Sequence, residues 1–380
     1  MCYIKHILME KSLKRTSAAT AKSALSLYTG VPALNPHVLH EQAEASVRAL
    51  YQAGESPNTA RSYAGALRYW AAWFRLRYRA DLPLPVPVAV LLQFVVDHVE
   101  RVEGGARVHD LPPAIDEALV QAGFKDHQGP PKLATVTHRL SVLSKAHTLK
   151  GQPNPVRATE VQELMRRVRR AHAKRGDLPR PKQALTKDPL EALLATCTDG
   201  LIGVRDRALL LFAWASGGRR RSEVTSALVE QLIAIDANTY LFRLTHSKTD
   251  QTGAGSHLEK PLVGTAATAL RAWLEAAGIT SGPIFRRIRG SLVAEALQPQ
   301  AVRAIVKRRA ALAGLNGDYS AHSLRSGFMT EAGRQNVPLG EAMALTGHRS
   351  VQTAVRYFQA GAVEKSQAGN LLGNGTRDSK

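Results

Sequence analysis

Five basic side chains and one phenol stand in this chain where they could act together on a phosphodiester. They fall in four short stretches: Gly217-Gly218-Arg219-Arg220-Arg221-Ser222-Glu223, Ser247-Lys248-Thr249, Ala321-His322-Ser323-Leu324-Arg325, and Gly347-His348-Arg349 followed by Tyr357. Two arginines, a lysine and two histidines suit a phosphate whose non-bridging oxygens gain charge in a pentacoordinate transition state. Tyr357 supplies a nucleophile. The i, i+3 spacing of His322 and Arg325 puts both on one helix face, so they can point at one phosphate. A phenol with a free pKa near ~10 must lose its proton as it attacks. His322 is the acceptor for that proton, His348 a hydrogen-bond donor to a phosphate oxygen, and Lys248 the acid that protonates the departing 5′-oxygen. This chemistry calls for no metal and no cofactor.

Other chemistries lack their residues. There is no Walker loop, and Thr252-Gly253-Ala254-Gly255-Ser256 lacks the flanking strand and helix of a dinucleotide site, so it reads as a hairpin turn. No Gly-x-Ser-x-Gly elbow and no His-Glu-x-x-His helix occur. Two cysteines, Cys2 and Cys197, build no disulfide framework or zinc finger, which suggests a reducing, cytosolic setting. The N-terminus, broken by Lys5 and Glu10, forms no secretory apolar region. The apolar segments Leu82–Val96 and Ala208–Ala215 fall short of the ~20 residues of a membrane span. Across 380 residues, 51 Lys+Arg stand against 31 Asp+Glu, a net charge of +20. So large a field implies a polyanionic partner, nucleic acid first and an anionic membrane surface second.

The elements that must position these residues are mostly helical. Residues 1–37 read as a leader without a fold. Amphipathic helices follow at Val38–Leu50, from the Ser56-Pro57-Asn58-Thr59 cap signal through Phe74, at Val88–Val99, Thr135–Lys150 and Thr159–Lys174. Between them, Glu103–Lys132 reads as loop around one short helix, Ala114–Gly123. Trp70, Trp73 and Phe74 share an apolar face and read as core. Residues 38–174 thus form a helical module, 175–183 a linker rich in Pro and Gly, and 184–380 a second domain. Arg157 to Lys182 carries nine Lys/Arg and three Asp/Glu, the densest positive stretch. In the second domain Arg205–Ser216 is nearly all apolar and marks a core. Leu232–Ile235 and Tyr240–Thr245 read as a hairpin, with Lys260–Val263 as a third strand. Helices are predicted at Lys187–Cys197, Thr265–Ala277, Pro299–Ala313, Ser320–Gln335, Pro338–Thr346 and Ser350–Ala360. The fold class is mainly α: a helical domain, then a mostly helical one with a small antiparallel β-sheet.

Arg220-x-Ser222-Glu223 after an apolar helix, Lys248 on a β-turn, His322-x-x-Arg325, and Leu345-Thr346-Gly347-His348 before Tyr357 resemble the signature of the tyrosine recombinase, or phage integrase, family, in its order. Tyr69-Trp70-Ala71-Ala72-Trp73, Met165-Arg166-Arg167-Val168-Arg169 and Pro181-Lys182-Gln183-Ala184-Leu185 are similar to matching stretches of a phage-encoded member, so the resemblance spans about 38–372.

The resemblance implies a core-binding domain and a catalytic domain that clamp duplex DNA. It implies cleavage through a 3′-phosphotyrosine on Tyr357, and strand exchange through a Holliday junction, without ATP or a divalent ion. A homotetramer would assemble on an inverted-repeat site from chains monomeric in solution, in the cytoplasm of a bacterium and encoded there or by a phage or plasmid. Arg220 and Arg325 would clamp the phosphate, Lys248 act as acid, His322 as base or orienting group, His348 as second phosphate donor, and Glu223 as buttress. Arg219 and Arg221 flank the clamp arginine, but the distance to Ser222-Glu223 favours Arg220. His348 stands where that phage member carries tryptophan, and the Glu103–Lys132 insert is longer than there. Thr59 with Arg61, and Thr135 with His138 and Arg139, at two helix starts, together with Arg166, Arg167, Arg169 and Arg170, are the expected DNA contacts. Rival readings are a type IB topoisomerase and a DNA-binding protein that has lost cleavage; six filled catalytic positions argue against the latter.

Overall fold

A computed structural model describes residues 56–177, 182–244, 259–348 and 350–362, with Ser46, Ala49, Leu50 and Gly54. The leader, most of the helix expected at Val38–Leu50, Lys248 and the 252–256 turn lie outside the described residues. Two compact units divide the chain, Met1–Leu178 and Pro179–Lys380.

The first unit is built on α1 (Pro57–Tyr78), which opens with Ser56 extended at the N-cap and proline in its first turn, where a missing N–H costs nothing. Its face Tyr69, Trp70, Trp73 and Phe74 is buried against Val90, Leu91, Phe94 and Val95 of α2 (Val88–His98). Trp70 stacks on Phe94 with ring centroids 3.8 Å apart. Both indole N–H groups find acceptors, Trp70 on the Arg139 carbonyl at 3.0 Å and Trp73 on Asp97 Oδ2 at 2.9 Å, so these rings are core.

The segment read as loop from Glu103 is corrected at its start: β1 (Arg101–Glu103) and β2 (Ala106–Val108) pair as a hairpin. Gly104 (φ 57) and Gly105 (φ 83) both take left-handed conformations, the tight-turn geometry that matches strand twist. Each strand is three residues long and mostly exposed, so no alternation of apolar residues announces it. Next come α3 (Pro113–Gln121), α4 (Leu133–Leu149) and α5 (Thr159–Lys174). Leu140, Leu143 and His147 are buried together on α4, as their spacing predicts.

The second unit is arranged around α7 (Leu201–Ala215), which follows α6 (Lys187–Ala195). Leu209, Leu210, Phe212 and Ala213 of α7 are fully buried, and the core continues into later elements through Phe242, Leu262, Leu270, Trp273, Ile305 and Leu324. After the short α8 (Arg221–Thr225), strands β3 (Leu232–Asp236), β4 (Thr239–Arg243) and β5 (Glu259–Val263) form an antiparallel sheet in sequence order. The three strands fall where the sequence places them. Along β5 burial alternates, with Lys260 and Leu262 inward and Glu259, Pro261 and Val263 outward. Helix α9 (Thr265–Ala276) precedes a second hairpin, β6 (Arg286–Arg289) and β7 (Leu292–Ala296), which the charge of its strands hides in the sequence.

Helices α10 (Pro299–Leu312), α11 (Ala321–Arg334), α12 (Leu339–Thr346) and α13 (Val351–Ala362) complete the unit. Met329, Ala332, Ala342 and Ala354 form a small separate core on which Tyr357 and Phe358 pack. Among the described residues no helix is long and apolar enough to cross a membrane.

Candidate active site

The turn from α7 into α8 delivers two arginines in different roles. Gly217 (φ 93) and Gly218 (φ 67) carry the chain through left-handed conformations, and a Cβ on Gly218 would collide with the Arg325 backbone. The turn therefore lies directly against α11. Arg220 then takes an extended conformation as the N-cap of α8. Its backbone N–H donates to Glu223 Oε2 at 3.1 Å and its Nη1 to Glu223 Oε1 at 2.7 Å. The Glu223 side chain is 4% exposed, so a buried carboxylate fixes a guanidinium that itself stays 27% exposed. Arg219, one residue earlier, is 2% exposed and donates through Nη2 to the Leu345 carbonyl at 2.5 Å. That contrast makes Arg220, not Arg219, the arginine presented to solvent.

Helix α11 brings His322 and Arg325 to the same place. His322 Nε2 lies 3.3 Å from the Tyr357 hydroxyl. Arg325 is 3% exposed, its Nη1 donating to the Gly218 carbonyl at 3.3 Å, while its Nη2 is buried with no hydrogen-bond partner among the described residues. A buried guanidinium nitrogen without an acceptor is costly unless something supplies one. His348 follows the left-handed Gly347 that ends α12, and its Nδ1 is 2.7 Å from Thr346 Oγ1. Tyr357 is seated by the small α11–α13 core, and its carbonyl accepts from Thr330 Oγ1 at 3.2 Å.

The electrostatics show that these groups share one field. Burial, then Arg220 and Arg219, drive the Arg325 pKa down to about 9. Burial, then Arg325, Arg220, His322 and Arg219, push His348 down to about 4. The exposed His322 imidazole is held below the usual histidine value by partial desolvation and then by Arg325 and Arg220. Both imidazoles are thus neutral at pH 7, each with one N–H and one lone pair. The Thr346 hydroxyl also donates to the Ala342 carbonyl at 2.9 Å, so its contact with Nδ1 holds the His348 ring in place without fixing which ring nitrogen carries the proton. Among the described residues the pocket holds an excess of positive charge over the Glu223 carboxylate, and an incoming phosphate would relieve it.

Lys248 lies outside the described residues. A second lysine, Lys260, is buried on β5, and its Nζ donates to the Ala344 carbonyl at 2.7 Å. Burial, followed by Arg219, brings its pKa down to about 8. Sequence reading names Arg219 only as a neighbour of the clamp arginine and Lys260 only as a lysine near Lys248, and gives Thr346 no part in the site; the shared parity of Lys260 and Leu262 in β5 was the available signal for burial. Among the described residues no group of three His, Cys, Asp or Glu could hold a metal ion.

In the first unit, the starts of α1 and α4 meet: Ser62 Oγ and His138 Nε2 are 2.9 Å apart. Arg61, Thr135 and His138 are exposed there, Thr59 is half-buried, and Arg61 donates to Asn58 Oδ1 at 3.1 Å. Arg139 is corrected as a DNA contact. It is buried, with its guanidinium carbon 3.1 Å from the centroid of the Tyr69 ring, because it shares a helix face with Val136, Leu140 and Leu143. Arg166, Arg167, Arg169 and Arg170 are exposed along α5, the first two paired with Glu163.

The phage integrase family model matches residues 183–363. An integrase/recombinase xerD homolog of Selenomonas ruminantium is 34% identical over 279 residues, covering 70% of this chain and 80% of that protein. Recombinase cre of Escherichia phage P1 is 26% identical, covering 59% of this chain and 70% of its own. Among solved structures, a lambda integrase (75-356) dimer bound to a COC′ core site superposes with a TM-score of 0.52 at 18% identity, over 85% of this chain and 95% of that one. XerH site-specific recombinase bound to palindromic difH substrate gives 0.52 at 15% identity, over 83% and 80%. These superpositions speak to the fold, while the sequence relatives carry the kinship: the chain belongs to the phage integrase family, the tyrosine recombinases, enzymes that break and rejoin DNA strands.

Proposed function

We propose that the chain is a site-specific recombinase whose Tyr357 cleaves one strand of duplex DNA at a time. The Tyr357 oxygen attacks the scissile phosphorus and its proton passes to His322 Nε2. The bond from phosphorus to the 5′-oxygen breaks, and Lys248 gives that oxygen a proton. A 3′-phosphotyrosine and a free 5′-hydroxyl remain, so the phosphoester is conserved. Attack by the hydroxyl of a partner strand rejoins the DNA, and two such rounds through a Holliday junction exchange the duplexes. Arg220 and Arg325 clamp the non-bridging oxygens, with the Nη2 of Arg325 as one donor; His348 is a further donor, and Glu223 buttresses Arg220. The observation that carries this reading is the 3.3 Å approach of His322 Nε2 to the Tyr357 hydroxyl beside a buried guanidinium nitrogen lacking an acceptor.

In this reading residues 38–174 are the core-binding DNA domain, 175–183 the linker and 184–380 the catalytic domain. Thr59, Arg61, Thr135, His138, Arg166, Arg167, Arg169 and Arg170 contact the DNA backbone. The active assembly is a homotetramer on an inverted-repeat site, in the cytoplasm and beside the nucleoid, a setting that bacterial relatives support.

The test is a suicide duplex built from inverted repeats that flank the gene and nicked near the cleavage position, incubated with the chain in EDTA. A covalent protein–DNA adduct that survives denaturing electrophoresis, and that Tyr357→Phe abolishes, is the expected result. An adduct that persists in Tyr357→Phe overturns the assignment.

A further inference from the structure

A helix end leaves its last four carbonyls without intrahelical donors. In α12 these belong to residues 343 to 346, and the turn that follows carries His348. The Gly347 N–H closes on the Met343 carbonyl at 2.8 Å. The next two are taken by buried cations from elsewhere in the unit: Lys260 Nζ on the Ala344 carbonyl at 2.7 Å, and Arg219 Nη2 on the Leu345 carbonyl at 2.5 Å. Both side chains lie within the field of Glu223, whose Oε2 is 3.6 Å from Arg219 Nη1 and whose other oxygen holds Arg220. Thr346, itself buried, then reaches His348 Nδ1.

Core stability does not call for this arrangement. Buried cations cost more than apolar side chains of similar volume would. What they do is couple three parts of the pocket, the Arg220 turn, the β5 strand and the end of α12, through contacts of fixed geometry. The negative end of the α12 dipole partly offsets their charge.

We propose that Arg219 and Lys260 are positioning residues for strand cleavage: they hold the last carbonyls of α12 and thereby fix the turn that presents His348 to the scissile phosphate. This rests on the reading of the pocket as the phosphate site. In this reading both act through α12 and not on the reacting atoms.

The experiment uses full-length Lys260→Met, Arg219→Met and Lys260→Arg. On the suicide duplex, both methionine variants are expected to form the Tyr357 adduct about 10²-fold more slowly, the scale of a misplaced catalytic group. Their Kd for the same duplex, read by fluorescence anisotropy, stays at the wild-type value. Lys260→Arg, with a cation that again reaches the Ala344 carbonyl, recovers most of the rate. Hydrogen exchange without DNA should quicken at residues 343–350 in the methionine variants while α7 and α10 keep their protection. Wild-type cleavage rates with unchanged exchange at 343–350 overturn the proposal. So does protection lost evenly across the unit, which makes the two residues general stabilisers. If the wild-type chain itself yields no Tyr357-dependent adduct, the phosphate-site reading fails, an outcome distinct from wild-type rates in the variants.

Discussion

At the scale of single residues, neighbours that share a type are separated by what surrounds them. Arg219 and Arg220 are adjacent and chemically identical, yet one is 2% and the other 27% exposed. The Arg-x-Ser-Glu spacing points to Arg220 from sequence alone; the fate of Arg219 depends on a carbonyl 126 positions away. Arg139 is the converse case, a charge placed on an apolar helix face and tolerated there by the Tyr69 ring. The histidines carry a testable consequence. His348 sits at about 4 and His98, buried and bonded to the Tyr69 hydroxyl, at about 3, both pushed down mainly by burial from 6.5. Between those values and 6.5 the unfolded chain binds protons that the folded chain refuses, so stability is full above about pH 6.5 and declines as pH falls through about 4. Urea melts across that range should show the decline, and His348→Gln should flatten part of it. Melts that grow more stable on acidification would contradict the assignment.

At the scale of elements, periodicity finds what is long or buried and misses what is short and solvated. The helices other than the five-residue α8 and the β3–β4–β5 sheet follow apolar spacing closely, since each has a face that must leave water. The β1–β2 and β6–β7 hairpins escape, being four or five residues long at most and largely exposed. The α7–α8 turn is the element on which the site depends most. Gly218→Ala would put a Cβ into the Arg325 backbone at a left-handed φ of 67. A loss of about 1–3 kcal/mol or more is expected for such strain. Denaturation should report it, together with loss of the covalent adduct; an alanine variant of unchanged stability would show that the turn is free to shift.

At the scale of the whole molecule, the charge of +20 exceeds what the candidate site alone can hold, and the exposed arginines of α5 carry part of it. The exposed arginines of α5 are expected to act as sequence-independent phosphate contacts, each neutralised phosphate adding about 0.9 to the slope of log K against log salt. Arg169→Ala with Arg170→Ala should lower that slope by about 2 and weaken unrelated duplexes equally. Arg139→Met should leave the slope unchanged, because a buried guanidinium releases no counterion from DNA. An unchanged slope in the α5 variant would remove that helix from the interface. The sequence by itself pointed to the family, the helical class, the order of the longer helices and of the β3–β4–β5 sheet, and to Arg220, His322, Arg325, His348 and Tyr357 as candidates, because residue type and local spacing are enough to state which chemistry is available. Only the tertiary structure decided which of two adjacent arginines faces solvent, that Arg139 is core, and that Lys260 and Arg219 grip the end of α12. Those outcomes depend on burial and on partners far apart in the chain, and no local pattern encodes a contact between residues that meet only when the core closes.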